Sequence, residues 1–117
     1  MQFPFEELTV WQDGMDLVTA IYKATKTFPS EERFGLIDQM RRAAVSIPAH
    51  IAEGKGRYHP KAFIQFLYTA RGSLYEMITL IRAASNLQYL QPKDHEALLT
   101  RCQSIISKLS GLINSLK

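Results

Sequence analysis

Apolar residues recur every three or four positions along almost the whole chain, the period of α-helices laid against a core. The sharpest run is Phe63, Leu67, Ala70, Leu74, Met77, Ile81 and Ala84, spaced alternately four and three apart. This is a heptad seam. It predicts a helix over 60–86, about 40 Å long at 1.5 Å per residue, with Pro60 in its first turn. Pro92 opens a further helix over 92–116. Its seam is Leu98, Cys102, Ile105, Leu109, Leu112 and Leu116, with Leu99, Ile106 and Ile113 beside it.

The first half of the chain predicts two more helices. One spans 9–28 and opens on Thr9-Val10-Trp11-Gln12, a capping-box pattern. Trp11, Met15, Val18, Tyr22 and Thr25 form its stripe, widened by Leu17, Ile21 and Phe28, and Pro29 ends it. The other spans 31–53. Ser30 with Glu31 and Glu32 signals its start, and Gly54 its stop. Leu36, Met40, Ala43, Ala44, Ile47 and Ile51 share one face, and Pro48 removes one hydrogen bond from the interior. No period-2 run competes. The fold class expected is all-α: a single domain over 1–117, an antiparallel up-down-up-down four-helix bundle.

At 117 residues and 46% hydrophobic, the chain is long enough for one core and too apolar for a disordered segment. Its one Cys makes no internal disulfide. Acid at Glu6 and Glu7 is unlike a signal peptide, and no membrane partner is expected. The longest apolar-looking uncharged run, Ala43 to Ala52, falls well short of the about 20 residues that cross a bilayer. The expectation is a soluble, cytoplasmic protein.

Charge changes the picture through its distribution. The net +3 conceals an acidic stretch, 1–32, with two Lys against six Asp and Glu, and a basic middle, 33–82, with eight cations against three acids. A basic middle fits a polyanion or an acidic partner surface, and equally fits packing beside the acidic first helix. Two faces are left over once the core is filled. Val45, Ala49 and Ala52 make the second helix apolar on its far side, which predicts a subunit interface or complete cover within the monomer. Ile64, Tyr68, Arg71, Tyr75 and Arg82 form a second stripe on the third helix, suited to stacking on bases, to anchoring an interface, or to a snorkelling boundary.

Catalytic patterns are absent. No Glu-x-x-His pair suits a di-iron site, and His95-Glu96 lacks the second His of a zinc-protease helix because Leu99 stands there. Cys102 falls on a core seam, and Ser46 and Ser73 have no His base in a recognisable arrangement. Gly54-Lys55-Gly56-Arg57 is not a P-loop, yet it offers backbone N–H groups and two cations to a phosphate. No enzyme activity, metal or cofactor is expected.

The block Gln39-Met40-Arg41-Arg42-Ala43-Ala44-Val45-Ser46-Ile47-Pro48-Ala49-His50-Ile51-Ala52-Glu53-Gly54 resembles the four helix bundle protein family, first met in intervening sequences of bacterial 23S rRNA genes. Phe34-Gly35-Leu36, Phe63-x-x-Phe66-Leu67-x-x-Ala70-x-Gly72-Ser73-Leu74-Tyr75-Glu76 and Gln88-Tyr89-Leu90 agree with it. His50 departs from it, standing where members usually carry Asn. The resemblance implies a ring-like homopentamer. It is similar to the accessory variability protein of diversity-generating retroelements, a basic pentamer that binds nucleic acid and a reverse transcriptase.

The residues and the resemblance together give a non-enzymatic oligomer that binds RNA or DNA backbone. The expected phosphate contacts are Arg41, Arg42, Lys55, Arg57, Lys61 and Arg71; the expected oligomer interface is Val45, Ala49, Ala52, Tyr68 and Tyr75. The alternative is a protein-interaction scaffold whose basic face docks an acidic partner such as a reverse transcriptase.

Overall fold

Two short 3-10 turns, Pro4–Glu7 and Ser30–Glu32, and four α-helices make up the chain, with no strand. The helices are α1 (Thr9–Thr25), α2 (Leu36–Lys55), α3 (Pro60–Asn86) and α4 (Pro92–Leu116). The computed structural model describes all residues, 1–117. The molecule measures 43 × 26 × 22 Å. A helix of 27 residues is itself roughly 40 Å long, so the helices lie side by side. α1 packs on α2, α2 on α3, α3 on α4, and α4 returns to α1, while the diagonal pairs stay apart.

The α3 seam read from the sequence is the buried seam: Phe63, Leu67, Ala70, Leu74, Met77, Ile81 and Ala84. Together with residues of the other helices and with Phe28 and Leu90 of the connecting segments they form one cluster of 23 buried apolar side chains. Each buried Leu or Ile contributes roughly 1.5–3 kcal/mol of apolar transfer. In α4 the seam runs Leu98, Cys102, Ile105 and Leu109, then passes to Ile113 in place of Leu112 and Leu116. Both of those leucines are half-buried at its edge. A 4-3 repeat drifts around a straight helix, so by the last turns the neighbouring position faces inward.

α1 departs from its expected face. Val10, Gly14, Leu17, Ile21 and Thr25 are buried, whereas Met15 and Tyr22 are 42% and 40% exposed. Gly14 explains the rotation. It seats α1 on the Pro48 ring of α2, where even a Cβ would sit 3.4 Å away. A glycine carries no hydrophobic signal, so a seam passing through it is hard to see in a sequence.

The helix ends also differ. Leu8 is the N-cap of α1 with no side-chain cap, so the Thr9–Gln12 capping box does not form. The Gln12 amide instead donates to the Glu6 carbonyl at 2.8 Å, and the Glu6 carboxylate accepts the Phe3 N–H. α1 stops at Thr25 because Lys26 and Phe28 donate to Lys23 and Thr25 in tighter three-residue turns ahead of Pro29. α2 begins at Leu36 rather than at residue 31. Its first turn is satisfied from outside by Glu32, whose carboxylate accepts the Leu36 N–H at 3.1 Å.

Gly54 does not stop α2. The helix continues to Lys55, and Gly56 is its C-cap. Gly54 is instead a point of close approach between α2 and α3. A Cβ there would lie 2.5 Å from the Phe66 Cβ and 3.0 Å from Phe63. Higher up the same interface the Ser46 and Ser73 hydroxyls are 2.9 Å apart.

Candidate nucleic-acid interface

The six cations expected to meet phosphate fall in three places. Arg41 is the most tied down. Its guanidinium donates to the buried Thr25 hydroxyl at 3.0 Å and to the Tyr22 carbonyl at 3.3 Å, and lies 4.5 Å over the Tyr22 ring. It therefore braces α2 against α1. Arg42, exposed, pairs with Asp38 one turn earlier at 2.9 Å. A surface pair of this kind contributes at most about 1 kcal/mol and leaves the side chain free to exchange partners. Tyr22, Asp38, Arg41, Arg42, Val45 and Ser46 line a hollow of about 630 Å³ here.

Arg71 sits on a different face. It donates to Ser110 of α4 at 3.2 Å and lies 4.8 Å over the Tyr68 ring. Tyr68 is half-buried by this stack, and Tyr75 is 55% exposed.

The third place is the turn joining α2 to α3, where Lys55, Arg57 and Lys61 gather within seven residues. Local sequence puts them there: α2 ends at Lys55, Gly56 caps it, and Pro60 starts α3. Two are seated on aromatic rings of α3. The Lys55 ammonium is 5.8 Å from the Phe63 ring centre, and the Arg57 guanidinium 4.8 Å from that of Phe66. Arg57 also meets Glu53 at 3.1 Å, with both side chains about half exposed.

Lys61 lies in the first turn of α3, which carries no acidic residue. A cation there opposes the positive end of the helix dipole, at about 0.3–1 kcal/mol. Helix stability does not call for Lys61. An anion over the turn would be drawn to Lys61 and the dipole alike. Tyr58, at the tip of the turn, is 92% exposed.

The expected interface residues divide between two faces. Val45, 44% exposed, and exposed Ala49 lie on the outer side of α2, with Ala52 half-buried nearby. Tyr68 and Tyr75 lie on α3, Tyr68 under the Arg71 guanidinium that reaches Ser110 of α4 and Tyr75 open to solvent. Sequence spacing gives which residues share one helix face, and it does not give which faces of two helices meet. What the sequence reading missed at the turn is the support from Phe63 and Phe66, together with His50. The His50 ring is 6.3 Å from Phe66, and its Nδ1 is buried without a hydrogen-bond partner.

Elsewhere, Cys102 is buried among apolar side chains, and desolvation pushes its thiol up to about 12, far from a reactive thiolate. No three His, Cys, Asp or Glu side chains gather to hold a metal ion. No helix is long and apolar enough to cross a membrane.

No curated protein matches the chain. Among solved structures, a crystal structure of a protein with unknown function from the S23 ribosomal protein family of Bacteroides thetaiotaomicron VPI-5482 is similar, with a TM-score of 0.83. The two share 21% identity over 90% of this chain and 95% of the other, a likeness of fold. The sequence model of the 23S rRNA-intervening sequence protein matches residues 6–111, and the chain belongs to that family.

Proposed function

We propose that this chain is a non-enzymatic, homo-oligomeric bundle that binds RNA or DNA backbone through the α2–α3 turn. The observation that carries this reading is the gathering of Lys55, Arg57 and Lys61 on one turn, facing a single partnered acid, Glu53. Each cation that neutralises a phosphate releases counterions, so affinity is set by their number and by salt. Arg42 adds to the field from the neighbouring face, while Arg41 and Arg71 are engaged in bracing helices. The helices run alternately up and down in this reading. Gly14 faces Pro48, Thr25 faces Arg41, and Asp13 faces Lys108, so early residues of one helix meet late residues of its neighbour.

A closed ring needs two different, complementary patches on each subunit. The division of Val45 and Ala49 from Tyr68 and Tyr75 supports that arrangement. Ala49→Glu is then expected to give a folded species of smaller mass by light scattering, and an unchanged mass removes α2 from the interface.

The function is tested by fluorescence anisotropy of labelled structured RNA and duplex DNA at about 50 and 200 mM salt. Binding in the micromolar range that weakens steeply with salt is expected. Changing Lys55, Arg57 and Lys61 together to Ala should flatten the duplex salt slope by about two to three. An unchanged slope overturns the assignment of this turn. A protein partner that binds wild type and triple variant alike, after nuclease treatment, moves the function to the scaffold reading.

A further inference from the structure

We infer that the α2–α3 turn takes unpaired nucleotides, with a base stacked on Tyr58 while Lys55, Arg57 and Lys61 hold the flanking phosphates. This rests on the reading of the turn as a nucleic-acid site and specifies which form of nucleic acid it accepts. The shared chemistry is a planar base beside a phosphodiester, found in single-stranded RNA and DNA.

Tyr58 is the central observation. At 92% exposed it is more open than any large apolar residue except Met1. The other rings of this region are occupied: Phe63 lies under Lys55, and Phe66 lies under Arg57 and against Gly54. His59 stands at 85° to the Tyr58 ring with centres 4.9 Å apart. An edge-to-face pair covers at most one face of a ring, so at least one face of Tyr58 is open to solvent. Packing therefore gives no reason for an aromatic side chain at this position.

Chain order places the ring between cations. Lys55 and Arg57 precede it and Lys61 follows. An open aromatic face set among backbone-binding cations is the arrangement by which proteins hold single strands, because every base has a π-face. A duplex keeps its bases stacked on one another and offers a side chain only their edges and the phosphates. A ring standing at the tip of a turn gains nothing from a duplex that Lys55, Arg57 and Lys61 do not already supply.

The test compares four probes of equal length by fluorescence anisotropy on the full chain at low salt: an adenine-rich DNA strand, the matching RNA strand, the same DNA backbone with abasic sites, and the DNA duplex. The base-bearing strands are expected to bind about tenfold more tightly than the abasic one, within the range for stacking one base on an aromatic ring. Tyr58→Ala should remove that difference and Tyr58→Phe should keep it, with salt slopes unchanged in both. The two single-strand probes distinguish RNA from DNA as the source.

Equal binding of abasic and base-bearing strands, or tighter binding of the duplex, overturns the inference. The function above still stands in that case if the Lys55, Arg57 and Lys61 variant weakens all probes. No binding of any probe overturns both. A loss of assembly mass in Tyr58→Ala, with affinity for the strands unchanged, makes the ring a contact between copies and also overturns the inference.

Discussion

The Tyr89 hydroxyl donates to the Glu32 carboxylate over 3.0 Å, joining the segment after α3 to the turn before α2. The other oxygen of Glu32 accepts the first N–H of α2, and the Tyr89 ring packs 5.3 Å from Phe28. One carboxylate thus fixes the start of α2 and ties down the end of α3. The hydrogen bond to Glu32 raises the Tyr89 pKa above its ordinary 10.0, with desolvation and the charges of Glu32 and Glu31 adding to it.

The fold therefore favours the protonated phenol. Its contribution to stability is complete below pH about 10 and is lost as pH rises through the raised value. Tyr89→Phe is expected to melt lower than wild type at pH 7. The gap between the two should close as pH rises past 10, because wild type loses the bond and the variant has none to lose. Melting curves across pH 7–11 check this. A gap that stays constant means that the bond does not stabilise the fold.

Gly54 yields a second prediction. In Gly54→Ala the new methyl would lie 2.5 Å from the Phe66 Cβ, an atom fixed to the α3 backbone. Relief requires α2 and α3 to part. The expected cost is about 1–3 kcal/mol, the usual range for overpacking, read as a lower denaturation midpoint in urea. Affinity for single strands should fall with it, since Phe63 and Phe66 carry Lys55 and Arg57. A variant as stable as wild type shows that the two helices are not held together here.

Gly54 also marks what the sequence alone conveys. As a glycine near the end of an apolar run it reads as a stop. Its actual role depends on Phe63 and Phe66, which belong to another helix. Gly14 misleads for the same reason: it interrupts the α1 seam in the sequence while completing it in space against Pro48. The α3 seam is legible because its seven buried residues include no glycine and keep an unbroken four-three spacing. Of the candidate site, the cluster Lys55, Arg57 and Lys61 is legible because a turn keeps neighbours together. The separation of Arg41 from Arg71 is not, because it follows from which face each helix turns to the next.

Gln88 carries the third prediction. It is the one non-glycine residue with positive φ, at 65°. Tyr89 N–H donates to Ala84 and Gln88 N–H to Ser85, so α3 ends in a Schellman motif with Gln88 where glycine usually stands. The left-handed conformation costs an L-residue roughly 1–2 kcal/mol. Part of that gain is cancelled by the greater freedom of glycine in the unfolded chain. Gln88→Gly is expected to stabilise by about 0.5–1 kcal/mol, measured by urea denaturation. Gln88→Ala, which keeps the strain, should not. A destabilised Gln88→Gly means that the side chain makes a contact outweighing its backbone strain.

Gly72 and Gly111 sit within α3 and α4, exposed and with nothing within 4 Å of where a Cβ would point. Neither has positive φ. Glycine at such a position costs a helix about 0.5–1 kcal/mol relative to alanine, because its backbone loses more freedom on folding. Within one subunit nothing compensates for that cost. Gly72→Ala and Gly111→Ala are each expected to raise the melting temperature by a few degrees, the shift that about 0.5–1 kcal/mol gives a domain of this size. Thermal scans at low protein concentration, with light scattering alongside, check both. A rise with unchanged mass leaves the glycine facing water. A fall in melting temperature together with a loss of mass contradicts the expectation, and places another backbone within a methyl radius of that helix.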